Sequence, residues 1–439
     1  MKPLEKGSKK LLNAWAFYDW ANSVYSLTIA SAIFPLFYGA LFRAEGIDKI
    51  TIFGGEIARG PLITYVTSFA FLIVSFLTPL LSGVADYVGN KKVFLKFFCY
   101  LGSAASIGLY WFSLDAIYLS LGVYLLGLIG FWGSLVFYNS YLPDIAFVEQ
   151  QDPISAKGYS LGYIGSVILL ILNLVMILKF EWFGFESATE PTKISFILVG
   201  LWWAGFSQYS FYYLPKGNGN KGRVTKGILL SGFKELKKVW SGLGANKTLK
   251  RYLAAFFVYS MGVQTVMLVA SYFAEEELAW ESDSQRTTGL IVSILLIQLL
   301  AVLGAILTSR ASARFGNIKT LIGINLIWVI VCMVAYFVVT PNQFYITAAV
   351  VGLVMGGIQA LSRSTYSKFL PPTKDTASYF SFYDVAEKIG IVIGMFLYAF
   401  IAQVTGSMRT SIVLVAIIFF LGMFLLLRVP REKEVKSAT

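Results

Sequence analysis

The chain has 439 residues, of which 57% are hydrophobic and only 14% charged, and its mean hydropathy is +0.69. A soluble domain carries roughly a quarter of its residues charged, so this composition excludes a globule covered by water. The net charge of +12 comes without a single histidine, which excludes histidine-based catalysis, most zinc chemistry and haem ligation.

Crossing a bilayer as a helix takes about 20 apolar residues. Runs of that kind recur along the chain at Ala14–Phe42, Pro61–Leu81, Val93–Phe112, Ile117–Phe137, Tyr159–Leu178 and Ile194–Leu214. After a polar gap they resume at Tyr252–Phe273, Thr288–Thr308, Thr320–Val339, Phe344–Leu361, Val385–Val404 and Ser411–Leu427. They predict an all-α membrane protein with twelve transmembrane helices. The first run is too long for a secretory signal core, so it reads as the first span. Cys99 and Cys332 both fall inside spans, which argues against a disulfide framework or a metal cluster.

An even number of spans puts both termini on one side. That side collects 29 of the 36 Lys and Arg residues, while the opposite loops are acidic, as in "FAEEELAWESD" (Phe273–Asp283). Positive charge stays in the cytoplasm during insertion, so both termini and the middle loop are expected there. The positive excess thus reports topology and not a nucleic-acid partner. Short loops and the lack of organelle targeting place the chain in a bacterial inner membrane, with a vacuolar membrane as the alternative.

The polar gap divides the chain into a six-helix bundle over 1–214, a basic linker over 215–250 and a second six-helix bundle over 251–439. Two short matches suggest that the halves are copies. "DYVGNKK" (Asp86–Lys92) corresponds to "RFGNIK" (Arg314–Lys319), with the Gly-Asn pairs offset by 227, and "YNSYLP" (Tyr138–Pro143) to "YSKFLP" (Tyr366–Pro371) at 228. In the linker, Leu229, Phe233, Leu236 and Trp240 share one helical face with lysines elsewhere, the pattern of an amphipathic helix lying in the membrane interface. "GNGNKG" (Gly217–Gly222) matches a dinucleotide fingerprint in letters only. It follows a span and a proline with no strand before it, so it reads as a flexible loop.

Ionisable residues inside spans are costly and generally face a bundle interior or a wet cavity. In span one, Asp19, Asn22, Ser23, Ser26 and Ala30 line one narrow face, which suits a water-filled cleft. Asp19 lies roughly 8 Å past the expected boundary at 1.5 Å per residue, so a role as helix-end anchor stays open. Pro35 should kink the outer part of this span.

In span ten, Gly352, Gly356, Gln359 and Arg363 recur on one stripe, with close packing as the other reading of the glycines and snorkelling that of Arg363. Span eleven opens with Asp384, Glu387 and Lys388, of which the first and last have i,i+4 spacing. A cytoplasmic gate pairing Arg363 with Glu387 or Asp384 is expected. Gln264 in span seven occupies the half of the repeat that lacks an equivalent of Asp19. The remaining amides, among them Asn173, Gln208 and Asn325, read as ties between helices.

Twelve spans in two repeats, with paired loops after spans two and eight, resemble the major facilitator superfamily. "SGVADYVGNKK" (Ser82–Lys92) is similar to its loop motif through Asp86, Gly89, Lys91 and Lys92, and departs from it at Ser82 and Tyr87. "FYDWANSVYS" in span one, "NSYLPDIA" after span four, "GGIQALSRSTYSKFLP" (Gly356–Pro371) and "YFSFYDVAEKIG" (Tyr379–Gly390) resemble the vacuolar amino-acid effluxers linked to autophagy and their bacterial relatives. The resemblance implies a secondary transporter working by alternating access, with spans one, four, seven and ten lining its cavity. Asp19, Asn22, Gln264 and Gln359 would contact substrate or ion, and Arg363, Asp384, Glu387 and Lys388 would act as gate or charge partners.

The expected partners are a small-molecule substrate and the bilayer, with proton coupling left open; no cofactor and no metal are expected, and the chain is expected to be a monomer. Export of amino acids or similar polar metabolites leads. Export of drugs or small peptides, and a receptor without turnover, remain alternatives. A membrane enzyme would need a nucleophile–base or carboxylate pair that the spans do not show.

Overall fold

Hydrocarbon offers backbone N–H and C=O groups no partners, so each apolar run must satisfy them within itself as a helix. The computed structural model describes residues 4–217, 234, 237–242, 244 and 246–430. Helices α1 (Lys9–Val24) and α2 (Ile33–Ala44) make up the first span, followed by a hairpin of β1 (Lys49–Ile52) and β2 (Gly55–Ala58). Next come α3 (Arg59–Val88), α4 (Lys91–Gly108), α5 (Ile117–Asn139), the short α6 (Leu142–Ile145), α7 (Val148–Leu178) and α8 (Thr189–Tyr213). The second half contains α9 (Lys247–Glu277), α10 (Asp283–Phe315), α11 (Asn317–Phe337), α12 (Pro341–Phe369), α13 (Thr376–Thr405) and α14 (Met408–Leu427).

Among the described residues, eleven spans are long and apolar enough to cross a membrane. The expected sixth span corresponds to α8, a 25-residue helix outside those eleven. Its apolar run is diluted by Ser195, Ser207, Gln208 and Ser210. Two of these hydroxyls donate to backbone carbonyls, Ser195 to Pro191 at 3.0 Å and Ser210 to Ala14 at 2.6 Å, so they are compatible with burial.

The first span is not a uniform α-helix. Between α1 and α2, residues Tyr25–Ala32 form a π-helix, and the amide of Ile33 donates to the carbonyl of Thr28, five residues back. Pro35 explains the distortion. It cannot donate to Ser31, and its ring crowds that carbonyl. The wider turn moves the carbonyls away, and the Ser31 hydroxyl donates to the Ser26 carbonyl at 3.0 Å. Pro35 was expected to kink the outer part of the span; its effect is a widened turn spread over the residues before it.

The chain packs as two compact units. One comprises Met1–Asn139 and Ile164–Phe233, the other Ser140–Tyr163 and Lys234–Thr439. The continuous helix α7 therefore begins in the second unit and ends in the first. Within the second unit, Ala156 of α7, Ala305 of α10 and Ala360 of α12 share a buried small-residue cluster with Tyr159 packed against it. Close approach between α10 and α12 depends on glycine: a Cβ at Gly352 or Gly356 would run into the backbone carbonyl of Ile297 or Ala301. These glycines thus serve helix packing against α10. The amphipathic stretch expected from Leu229 to Trp240 lies largely outside the described residues. Trp240 is described, with its ring 5.9 Å from that of Phe382.

Both corresponding loops place a glycine at positive φ after the helix, but with different ψ, 26° at Gly89 and 155° at Gly316. Gly89 closes α3 at φ 68°, where its amide donates to the Asp86 carbonyl, and Gly316 closes α10 at φ 86°. Between β1 and β2, by contrast, the left-handed conformation falls partly on a bulky residue. Ile52 pairs with Gly55, so Phe53 and Gly54 form a two-residue turn with φ 50° and 81°. Such a turn favours Asn-Gly, yet Phe53 is 91% exposed and makes its described contacts with Tyr118, whose hydroxyl accepts its amide at 3.0 Å. Replacing Phe53 by Asn should therefore raise the thermal unfolding midpoint in detergent, by the equivalent of about 1 kcal/mol. An unchanged or lower midpoint would show that Phe53 carries no strain.

Candidate transport site

In the first unit, Asp19 sits ten residues into α1, about 15 Å along the helix. Its Oδ2 accepts the Tyr138 hydroxyl of α5 at 2.8 Å. Tyr138 is fixed in turn: Trp15 donates its indole N–H to the Tyr138 carbonyl at 2.9 Å and stacks on its ring at 4.6 Å. Asn22 accepts from Ser23 at 3.3 Å. The sequence suggested a face open to water, but Asp19 is 4% and Asn22 1% exposed. Both are buried.

The loop-motif residues have local structural partners. Lys92 is buried at the start of α4, and its Nζ donates to the Leu214 carbonyl at the end of α8 at 2.6 Å. A cation on the last carbonyls of a helix completes their hydrogen bonding and complements the helix dipole. Asp86 lies in the last turn of α3, Gly89 caps that helix, and Lys91 opens α4.

The second unit holds most of the charged residues that the sequence placed at the site. Along α7, the side chains of Ser155, Tyr159 and Tyr163 follow one another at i, i+4 and i+8 and meet α12. The Tyr163 hydroxyl donates to Gln359 Oε1 at 2.5 Å. The Arg363 guanidinium lies 4.2 Å from the Tyr159 ring centre. Its Nε and Nη2 donate to the Ser155 hydroxyl and carbonyl, each at 3.0 Å. Ser155 Oγ also donates to the Ala360 carbonyl at 2.7 Å. Arg363 is only 1% exposed, so it does not snorkel. It is held by a hydrogen-bonding fork and an aromatic face, a combination lysine cannot reproduce.

The expected pairing of Arg363 with Glu387 is not formed. Glu387 Oε1 instead accepts from Gln264 Nε2 of α9 at 2.7 Å. Asp384 and Lys388, on successive turns of α13, bond to each other, and both are buried. The local i,i+4 geometry thus pairs two of the three charges at the start of span eleven. Gln359 also directs its amide at the Met267 sulfur at 3.3 Å. Of the amides expected to tie helices, Gln208 accepts from Tyr100 at 3.1 Å, while Asn325 donates to the Leu321 carbonyl of its own helix. Asn173 is fully buried with no hydrogen-bond partner among the described residues.

Sequence reasoning missed a further cluster. Asp152, near the start of α7, accepts from Ser312 at 3.0 Å, from Asn317 at 2.9 Å and from Lys368 at 2.7 Å. Asn317 also donates to Thr365 at 2.9 Å. The available signal was the repeat itself, because Asn317 belongs to the second Gly-Asn loop and Lys368 to "YSKFLP". No group of three or more His, Cys, Asp or Glu residues among the described residues could hold a metal ion. An apolar cavity of about 70 Å³ in the second unit, walled by Val269, Phe273, Trp328 and Val351, contains none of these polar groups.

Removing one member of a buried ion pair strands the other charge, at about 3–5 kcal/mol. Lys368→Met should therefore lower the unfolding midpoint more than the double variant Asp152→Asn/Lys368→Met does. Equal losses in thermal unfolding would show that Asp152 does not depend on Lys368.

Comparison with known proteins bears on the family and the fold. The family model described as "Vacuole effluxer Atg22 like" matches residues 7–439. An uncharacterized MFS-type transporter of Bacillus subtilis, YxiO, is 32% identical over 428 residues, covering 96% of this chain and 95% of that protein. Autophagy-related protein 22-1 of Aspergillus terreus is 24% identical, covering 90% of this chain and 79% of that protein. Among solved structures, the transporter FucP in an outward conformation superposes with a TM-score of 0.70 at 15% identity, over 96% of this chain and 98% of that one. The human organic anion transporter MFSD10 gives 0.68 at 15%, over 95% and 98%. The chain is a multi-pass membrane transporter, not an enzyme, and it belongs to the Atg22-like family of the major facilitator superfamily.

Proposed function

We propose that the chain exports amino acids or closely related small polar metabolites by alternating access, with proton movement coupled at Asp19. The observation that carries this reading is Asp19 itself, a buried carboxylate inside the first span whose Oδ2 takes a neutral tyrosine hydroxyl. It lies one and a half turns before the π-helical segment. Buried carboxylates mark ion pathways in membrane proteins, and π-helical turns inside long helices often accompany functional sites. A titratable group beside an irregular turn can link proton binding to a change in the helix. Export is supported by the effluxer description of the family. The charge bias of the loops supports cytoplasmic termini in a bacterial inner membrane, and the transporter is taken to act as a monomer.

Alternating access requires contacts that form in one state and break in another. The polar strip joining Ser155, Tyr159 and Tyr163 to Gln359 and Arg363 has the required chemistry, because hydrogen bonds exchange for water more readily than tight apolar packing reforms. In this reading the Asp152–Lys368 cluster latches one state.

The test is counterflow of a labelled amino-acid mixture in proteoliposomes, with and without a pH gradient, for wild type and Asp19→Asn. The expected result is exchange by both proteins and a several-fold acceleration by the gradient in wild type only. Equal responses to the gradient would return Asp19 to the role of helix anchor. Absence of exchange by folded wild-type protein would reject amino acids and point to drugs, small peptides or a receptor that does not transport.

A further inference from the structure

The charges within the spans of the second unit differ in what they leave accessible. Arg363 is sealed against Ser155 and Tyr159. Lys388 is fully buried against Asp384. Glu387 is half-buried: Oε1 is held by Gln264, and Oε2 has no hydrogen-bond partner among the described residues. Glu387 lies roughly 17 Å along α13 and Gln264 roughly 26 Å along α9 at 1.5 Å per residue, in the middle third of each helix. Tyr259 of α9 and Tyr383 of α13 belong to the buried core of this unit. The Tyr259 hydroxyl is occupied by Tyr252 at 3.1 Å and Ser362 at 2.8 Å. Tyr383 stacks on Phe256 at 4.0 Å.

An open carboxylate oxygen in the middle third of α13, fixed in direction by an amide and next to a lysine already bonded to Asp384, is a hydrogen-bond acceptor carrying negative charge. The ligand group that fits it is a donor carrying positive charge. We propose that Glu387, clasped by Gln264, is the contact for a protonated amine on the transported molecule. This deepens the amino-acid reading and rests on it for the identity of the cargo. It places the amine in the second unit, apart from any proton site at Asp19. Lys388, the cation next to it, is bonded to Asp384 and leaves a carboxylate on the ligand without a partner at this point of α13.

The test measures binding of two leucine derivatives to purified protein: leucinamide, which keeps the amine and lacks the carboxylate, and N-acetyl-leucine, which does the reverse. A hydrogen bond between charged groups corresponds to about 10- to 100-fold in affinity. Wild type should thus prefer leucinamide by at least about tenfold. Glu387→Gln should abolish that preference, while Glu387→Asp, which keeps the charge, should retain part of it. Equal binding of the two compounds by wild type, binding of neither, or a preference that survives Glu387→Gln overturns the proposal. Amino-acid exchange is measured on the same wild-type preparation. Preference for the amine without exchange removes the amino-acid cargo but keeps the amine site; exchange without the preference does the opposite.

Discussion

A polar group inside hydrocarbon cannot fall back on water, so its partner must be supplied by the protein. Most of the architecture around the charged residues follows from this one constraint. Arg363 would be prohibitively costly at 1% exposure if it stood alone. It is tolerable because Ser155 accepts from two of its nitrogens and Tyr159 offers its ring face. Asp152 meets the same demand with a lysine, an asparagine and a serine. Lys92 meets it by capping α8. In each case the partner comes from another helix, so the requirement that stabilises the charge also fixes which helices lie side by side.

Helix α7 shows what this does to the organisation of the molecule. Its first half carries Asp152, Ser155, Tyr159 and Tyr163 and packs in the second unit; its second half packs in the first. The polar strip on its first half is specific in register, because a shift of one residue would turn every one of these side chains off the α12 face. Apolar helix surfaces are far more forgiving, since any methyl can replace another at similar volume. A buried hydrogen-bonded strip therefore adds little net stability and defines one discrete seating.

The spans were legible because their signal is local. Length and apolarity alone specify a membrane helix, and a glycine at each of the two matched loops was legible as a helix end, where both stand at positive φ. Resemblance to the superfamily then supplied the arrangement of the spans. What the sequence did not show was non-local or a matter of geometry within a helix. The π-helix depends on how Pro35 displaces carbonyls upstream, and its extent is not encoded in any residue pattern. The partner of Asp152 lies 216 residues away at Lys368. The glycine stripe of span ten was visible, but whether it faced a cavity or a helix depended on α10 filling the space beside it. Burial of Asp19 and Asn22 was unreadable for the same reason: a polar stripe reports that a face needs partners, without saying whether water or protein provides them.

The start of span eleven shows how local and non-local preferences compete. Asp384, Glu387 and Lys388 offer one cation and two carboxylates, and Arg363 offers another cation from α12. Pairing across helices would neutralise all four charges. The structure departs from that arrangement because Asp384 and Lys388, one turn apart on the same face, can meet without ordering any additional helix. Arg363 has partners on α7, where Ser155 accepts two of its hydrogen bonds and Tyr159 offers its ring face. What remains is Glu387, with an amide in place of a cation. An amide can hold a carboxylate in position but leaves its charge uncancelled. Glu387 is thus held in direction by Gln264 while Lys388, its neighbour in α13, bonds to Asp384.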